Sequence, residues 1–468
     1  MKKILSLLLL SFSLLNISCF DDLDDNISQA STLEIQDFIY RGLNFFYLYK
    51  ADTPELANDA FATDQEKDSF LNSFASPEAL FDYLISPQDR FSILVDDYIE
   101  LENSLSGVTL NNGMEFGLVL YPDDSGDVFG YVRYVLPGTD AAMKGVTRGM
   151  IFNTVDGIQL DDTNFTELLD PESYTIGLAT FDGTSITPTG ETIDLVKEVV
   201  TENPIFVNKT FDISGQKIGY IMYNGFTNEF DSQLNDVFGQ FRSEGVTDLV
   251  LDLRYNGGGS VRTATYLASM ITGQFTGQTY YTEEWNADRQ DAYAENGAFV
   301  DSFVDGGEAI NSLNLTRLYV ITTGRTASAS ELVINGLDPY INVVQVGSDT
   351  RGKFQASFLL YDAPAPNFSR RDANPSHRYA MLPLVFKTAN ASGFTDFNDG
   401  LTAEVEQFED YSNLGILGEP DEPLLQRALS EITGIPIPGG RRWIPELEVI
   451  SESKASQPAY QIMYLSND

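Results

Sequence analysis

The chain is poor in the residues that most often build reactive or cross-linked sites. Of its 468 residues, one is cysteine, Cys19, and one is histidine, His377. A single cysteine excludes an intrachain disulfide and, with so little histidine, a zinc site of the usual cysteine and histidine kind. Histidine-dependent chemistry would rest on His377 alone, expected as a surface imidazole in the polar stretch Asn374-Pro375-Ser376-His377-Arg378. Basic residues are scarce too, 28 against 69 acidic ones, for a net charge of −41. That balance excludes a basic face for nucleic acid, and an anionic membrane surface would repel the body of the protein. No metal and no cofactor is expected, and the sequence does not set the oligomeric state. The apolar run at 4–15 is too short to span a bilayer comfortably. Behind Lys2 and Lys3 it reads as a secretory signal, residues 1–18.

Cys19 follows Ser18 at the end of that run. The arrangement resembles a bacterial lipoprotein cleavage site, with Asn16 where an aliphatic residue is usual. The resemblance implies an acylated Cys19, a stable lipid anchor and contact with a membrane through that anchor only. Residues 19–30 form an acidic tether. Its Phe20-Asp21-Asp22-Leu23-Asp24-Asp25 resembles export signals of surface lipoproteins in some Gram-negative bacteria. The implied location is the cell envelope, as an outer-membrane lipoprotein facing the periplasm or the outside.

Residues 31–105 carry helical spacing. Ser31 and Glu34 can box the start of a helix bearing Ile35, Phe38, Ile39, Phe45 and Phe46. Ser76-Pro77-Glu78 opens another, with Leu80, Phe81 and Leu84 on its apolar face. A third is predicted through Ile93, Leu94, Tyr98 and Leu101. Residues 106–202 change to short strands and turns. Across 203–436 strands and helices alternate, which predicts α/β layering. Within it, 274–315 is a long acidic, aromatic segment, expected as a lid, a binding element or disorder. Residues 437–468 are expected as a C-terminal tail.

The stretch around Ser328 is where chemistry is most legible. Residues 318–323 read as a buried strand that Gly324 breaks. Ser328 and Glu331 have the spacing of a capping box, which puts the hydroxyl at a helix start beside free N–H groups. A plain cap and a nucleophile fit that place equally. A serine needs a base to take its proton, and with His377 set aside the base is a lysine or a carboxylate. A lysine serves only when neutral, so its pKa must fall by about 3 from ~10.4, at roughly 4 kcal/mol of desolvation. Lys353 suits this, since it follows a buried strand and Gly352 and has Phe354 beside it.

Several motifs together resemble the carboxyl-terminal processing peptidases, or tail-specific proteases. They are Thr326-Ala327-Ser328-Ala329-Ser330-Glu331-Leu332-Val333, Lys353 twenty-five residues after Ser328, and Leu251-Asp252-Leu253-Arg254-Tyr255-Asn256-Gly257-Gly258-Gly259. A late helix start, Leu417-Gly418-Glu419-Pro420-Asp421-Glu422-Pro423, fits as well. Ahead of these, Pro137-Gly138-Thr139-Asp140-Ala141-Ala142 and Gly149-Met150-Ile151 through Asp156-Gly157 resemble a PDZ domain, with Met150 where aspartate is usual. The resemblance implies a multi-domain α/β protein: a helical N-terminal domain, a PDZ-like β-rich domain, and a crotonase-like α/β peptidase core. It implies Ser328 as nucleophile, Lys353 as general base and Glu331 as the group that orients the lysine ammonium. The N–H groups of Gly258 and Ala329 would form the oxyanion hole. Met114, Glu115, Phe116, Gly117 and Leu118 would hold the terminal carboxylate of a peptide that adds as a strand. Substrates would then be proteins or peptides recognised by their C-termini. Phe354 replaces a glycine after the lysine, Gln355 stands two residues after it where the family has a glutamine four after, and Asp338 is one position from where some members carry an aspartate. These departures bear on the support around Lys353. A catalytically inactive binding lipoprotein on a peptidase scaffold, and a serine–histidine hydrolase using His377, are the alternatives.

Overall fold

The computed structural model describes residues 29–123, 125–293, 299–304, 310–437 and 447–465. Cys19, the expected signal and nearly all of the tether lie outside them.

The N-terminal helices begin where their caps predict. Ser31 accepts the Glu34 N–H at 3.3 Å while Glu34 Oε2 takes the Ser31 N–H at 2.7 Å, which opens Thr32–Phe46. Ser76 caps Pro77–Leu84. Their buried stripe, including Phe38, Ile39, Leu43, Leu80 and Leu84, joins one core with Phe238, Leu267 and Val385 of the α/β region. The third predicted helix is corrected. Ile93–Val95 is a strand paired antiparallel with Ala380–Leu382, and the helix is Tyr98–Leu105, capped by Asp97. Asp89 Oδ1 accepts the N–H groups of both Phe91 and Ser92, and this turn breaks the helical register.

Residues 108–201 fold chiefly into an antiparallel sheet ordered Met114–Leu120, Val128–Val135, Ile151–Val155, Ser173–Phe181, Ile186–Val196. The core sheet begins with the hairpin Ile205–Ile213 and Gln216–Tyr223. Asp248–Asp252, Arg317–Thr322, Asn342–Gly347 and Val405–Glu406 then join in parallel. Alternation along each strand covers both faces. Leu249, Leu251, Leu318 and Val320 pack towards the helices Asp231–Glu244, Val261–Thr272 and Ala329–Leu337, while Val250, Tyr319 and Ile321 pack on Pro423–Thr433. The carboxyl ends of three neighbouring parallel strands lead into the glycine loop 256–259, the serine loop 323–328 and the lysine turn 350–354. Open α/β sheets bind their ligands at such ends.

A second sheet runs Gly259–Ser260, Met463–Leu465, Gln355–Phe358, Leu384–Asn390, Thr279–Trp285, Val300–Ser302. It corrects two expectations. The described part of 274–315 is not a loose loop, because it supplies two of these strands and the helix Ala287–Tyr293. Nor is the described part of 437–468 a tail. Val449–Glu452 pairs with Met114–Leu120, and Met463–Leu465 lies inside the second sheet with Met463 fully buried. The His377 side chain is not a surface imidazole, being 5% exposed: its Nε2 is 3.1 Å from Asp362 Oδ2 and its Nδ1 accepts the Tyr379 N–H. Packed beside Phe38, the imidazole is a structural link to the N-terminal helix.

One ion network secures the core. Arg254, fully buried, reaches Asp252 and both oxygens of Glu422, at 2.6 and 2.9 Å. Glu422 also caps Pro423–Thr433 by accepting the Leu425 N–H. Glu422→Ala would leave part of the guanidinium charge buried without its partner, and is expected to cost about 3–5 kcal/mol in urea unfolding. A loss below about 1 kcal/mol would show that Asp252 and Glu409, the latter 3.5 Å from Arg254 Nη1, satisfy Arg254 without Glu422.

Candidate active site

The serine loop is bound to the glycine loop before any chemistry is considered. Thr326 Oγ1 donates to Leu253 O at 2.8 Å and accepts the Thr323 N–H at 3.0 Å. Asn256 O accepts the Ala327 N–H at 3.1 Å and the Ser330 hydroxyl at 3.2 Å. Between these anchors Ser328 takes φ 68° and ψ −119°, a region that side-chain-bearing residues rarely enter. Such a conformation costs of order 1–3 kcal/mol and persists only when its surroundings impose it. It turns the chain sharply from strand to helix, the geometry that presents a serine hydroxyl in other hydrolases. Ser328 N–H donates to Glu331 Oε2 at 2.7 Å. Ser328 Oγ is buried, faces the helix start in a capping-box arrangement with Glu331, and has no hydrogen-bond partner among the described residues.

Lys353 is fully buried. Its Nζ lies 4.9 Å from the centre of the Phe91 ring and donates to Gln461 O at 2.7 Å. Burial pulls its pKa down to about 7, against the opposing charges of Asp89 and Glu331. The support that the altered lysine turn lacks in sequence comes from the N-terminal region. Arg90 donates to Gly352 O at 3.0 Å, Phe91 covers the ammonium, and Asp89 supplies charge. None of these three carries a motif. Gln355 is used elsewhere, donating to the Tyr49 hydroxyl at 2.9 Å.

Glu331 has a different task from the one expected. Its carboxylate takes the N–H groups of Gly352 at 2.7 Å and Lys353 at 2.9 Å, with the Thr350 hydroxyl and the Ser328 N–H. It thus holds the backbone of the lysine turn, and it acts on the ammonium through its charge. Burial raises its pKa, while these donors pull it back.

Gly258 also departs from expectation. Its N–H donates to Asn256 Oδ1 at 2.8 Å, while Asn256 Nδ2 donates to Tyr223 O. Gly258 has φ 111°, and a Cβ there would stand 2.6 Å from Ser328 Cβ and 2.9 Å from Ile462 O. Glycine is needed for close approach at this point. Ala329 N–H, in the first turn of the serine helix, is among those that lack an intrahelical acceptor. Asn256, inside a motif visible in the sequence, is the site residue that sequence reasoning could have found.

The expected carboxylate-binding stretch lies in the strand Met114–Leu120, whose pairing with Val128–Val135 shifts register between Glu115 and Phe116. The turn precedes it, and its N–H groups are spoken for: Gly113 donates to Asn111 Oδ1 and Met114 to Asn112 Oδ1. Phe116 donates to Ser453 Oγ, and Gly117 and Leu118 pair with Glu452 and Ser451. The buried Glu115 carboxylate sits there too, so this end of the groove is ill suited to a second carboxylate.

The fold and loop geometry define an α/β protein with a serine, a desolvated lysine and a glycine loop at one sheet end. Residues 217–361 match the model for peptidase family S41, and 34–93 match the peptidase S41 N-terminal domain. The chain is 26% identical over 293 residues to a carboxyl-terminal-processing protease of Picosynechococcus sp., covering 61% of this chain and 65% of that one. It is 25% identical over 231 residues to the chloroplastic C-terminal processing peptidase of Tetradesmus obliquus, covering 46% of each. It therefore spans less than two thirds of these curated relatives. A Bacteroides fragilis structure, provisionally described as an S41 protease, superposes with TM-score 0.66 at 25% identity, over 85% of this chain and 97% of that one. The photosystem II D1 C-terminal processing protease superposes at 0.51 and 19% identity, over 85% and 97%, and shares the fold. Two stretches of the chain, 34–93 and 217–361, are thus similar to peptidase family S41.

If Lys353 is the base, it must be neutral to act. Acylation of Ser328 by a fluorophosphonate should then rise with pH through a limb near 7 and level off above it. Phe91→Ala admits water to the ammonium and should move that limb towards the ordinary lysine range. A limb that stays in place in this variant, followed by labelling rate against pH, would show that the Phe91 ring does not set the lysine pKa.

Proposed function

We propose that the protein is a serine endopeptidase that cleaves polypeptide substrates through an acyl-enzyme on Ser328, with Lys353 as general base. One observation carries this reading. Adjacent carbonyls of a single dipeptide reach the lysine and the glycine loop, with Gln461 O on Lys353 Nζ and Ile462 O 2.9 Å from where a Cβ on Gly258 would stand, a point 2.6 Å from Ser328 Cβ. A peptide backbone thus already runs from the lysine to the glycine that adjoins the serine. Neutral Lys353 takes the Oγ proton, and Oγ attacks the scissile carbonyl carbon. Ala329 N–H meets the developing oxyanion, with Gly258 N–H as second donor once it leaves Asn256. The Lys353 ammonium protonates the leaving amine, and water then hydrolyses the ester with Lys353 again as base. Glu331 positions both turns and does not touch the reacting atoms.

The edge of Met114–Leu120 supports recognition of an extended peptide by strand addition. The used turn N–H groups and Glu115 favour an internal or passing segment there over a terminal carboxylate. The N-terminal signal and Cys19 support a lipid-anchored protein of the Gram-negative envelope.

Ser328→Ala and Lys353→Ala should each lower hydrolysis of an unfolded protein such as casein by at least about 10³-fold. Circular dichroism should be unchanged in both. Wild-type turnover in Lys353→Ala would end the serine–lysine assignment, and casein left intact by well-folded wild-type protein at every concentration would favour the binding-module alternative.

A further inference from the structure

One covalent segment, residues 447–465, occupies both halves of the substrate path. Its first part, Val449–Glu452, adds antiparallel to Met114–Leu120, with Val449 opposite Val119, Ser451 opposite Leu118 and Glu452 opposite Gly117. Ser453 extends the contact. Its N–H donates to Phe116 O at 3.1 Å, its Oγ accepts the Phe116 N–H, and the same hydroxyl donates to Glu115. Glu452 ties this part to the serine loop, through Arg325 at 3.2 Å and the Tyr460 hydroxyl at 2.6 Å. The second part enters the catalytic cleft. Gln461 O takes the Lys353 ammonium, Ile462 O lies against Gly258, and Met463–Leu465 runs parallel between Gly259–Ser260 and Gln355–Phe358.

This occupancy stops the chemistry in a specific way. The base spends an N–H on a carbonyl, and the nucleophile is left without a partner. Gln461 has φ 52°, in the left-handed region, and its carbonyl meets the lysine. The segment resembles a substrate in its path while its carbonyl holds the base. Being tethered, it competes at an effective concentration in the range of mM. Beside its first part a cavity of about 310 Å³ remains, lined by Met114, Phe116, Leu118, Phe165 and Tyr174, with room for side chains of an incoming strand.

We propose that residues 447–465 are an intramolecular pseudosubstrate that closes the peptidase, and that an extended polypeptide opens it by displacing Val449–Glu452 from the Met114–Leu120 edge. This rests on Ser328 being the nucleophile. The test is the rate of fluorophosphonate labelling of the full chain, wild type against Ser453→Pro. Proline removes the N–H given to Phe116 O and the hydroxyl that meets Phe116 and Glu115, and touches no catalytic group. Labelling should be at least tenfold faster in Ser453→Pro, and a synthetic peptide of residues 447–465 added in excess should slow it again. A chain ending at residue 446, where circular dichroism shows it folded, should label as fast or faster. Equal rates in wild type and Ser453→Pro overturn the pseudosubstrate and leave Ser328 as nucleophile. Labelling that persists in Ser328→Ala, or fails in every form, overturns the nucleophile assignment and the pseudosubstrate with it.

Discussion

The site depends on one buried carboxylate. Glu331 gathers the N–H groups of Ser328, Gly352 and Lys353 and the hydroxyl of Thr350 onto two oxygens. Each of these donors, left alone in the interior, would cost about 1–3 kcal/mol. Together they outweigh the conformational penalty of Ser328, so the strained turn is the favourable one while Glu331 is ionised. The same carboxylate fixes the serine turn relative to the lysine turn, which come from different strands, and the Arg351 N–H given to Thr326 O at 2.9 Å adds a second tie. Thr350 passes the constraint outward by accepting the Leu401 N–H at 2.7 Å. Catalysis requires reacting groups held within fractions of an ångström, and here a ring of main-chain donors does the holding.

The sheet explains why such a ring can form. Three adjacent parallel strands deliver three loops to one edge, and each loop is then tied to its neighbour. Arg254 joins the strand before the glycine loop to the cap of the last helix, and Asn256 joins the glycine loop to the serine loop. Burying Arg254 costs several kcal/mol of desolvation that only its carboxylate partners offset. The return is geometric: the strand end that carries Gly258 cannot move independently of the helix start that carries Glu422.

Much of this was legible in the residues, for physical reasons. Helix caps, parallel-strand runs and glycine breaks are local, and the Ser328, Glu331 and Lys353 pattern survives because its spacing follows from one strand–helix–strand unit. What was not legible is long-range. Asp89, Arg90 and Phe91 surround a lysine more than 250 residues away through contacts that leave no periodicity. Residues 447–465 are neither strongly alternating nor flanked by hairpin signals, since their partners are Met114–Leu120, Gly259–Ser260 and Gln355–Phe358. His377 misled for a similar reason. A polar sequence neighbourhood says little about an imidazole whose ring is covered by Phe38 from the first helix.

A protein with one histidine can still run serine chemistry because desolvation does what a histidine's intrinsic pKa would otherwise do. Lys353 is dried from two sides by different segments, Phe91 of the N-terminal region and Gln461–Ile462 of the C-terminal strand. On the pseudosubstrate reading these two walls differ in kind. The Phe91 wall is permanent, so the lysine stays depressed whatever lies in the cleft. The Gln461 wall is exchangeable, and a polypeptide that replaces it frees the ammonium from the Gln461 carbonyl while keeping water from it. Binding and activation are then one event. A chain long enough to cover the cleft dries the base further than a short one, which favours extended chains by electrostatics as well as by fit.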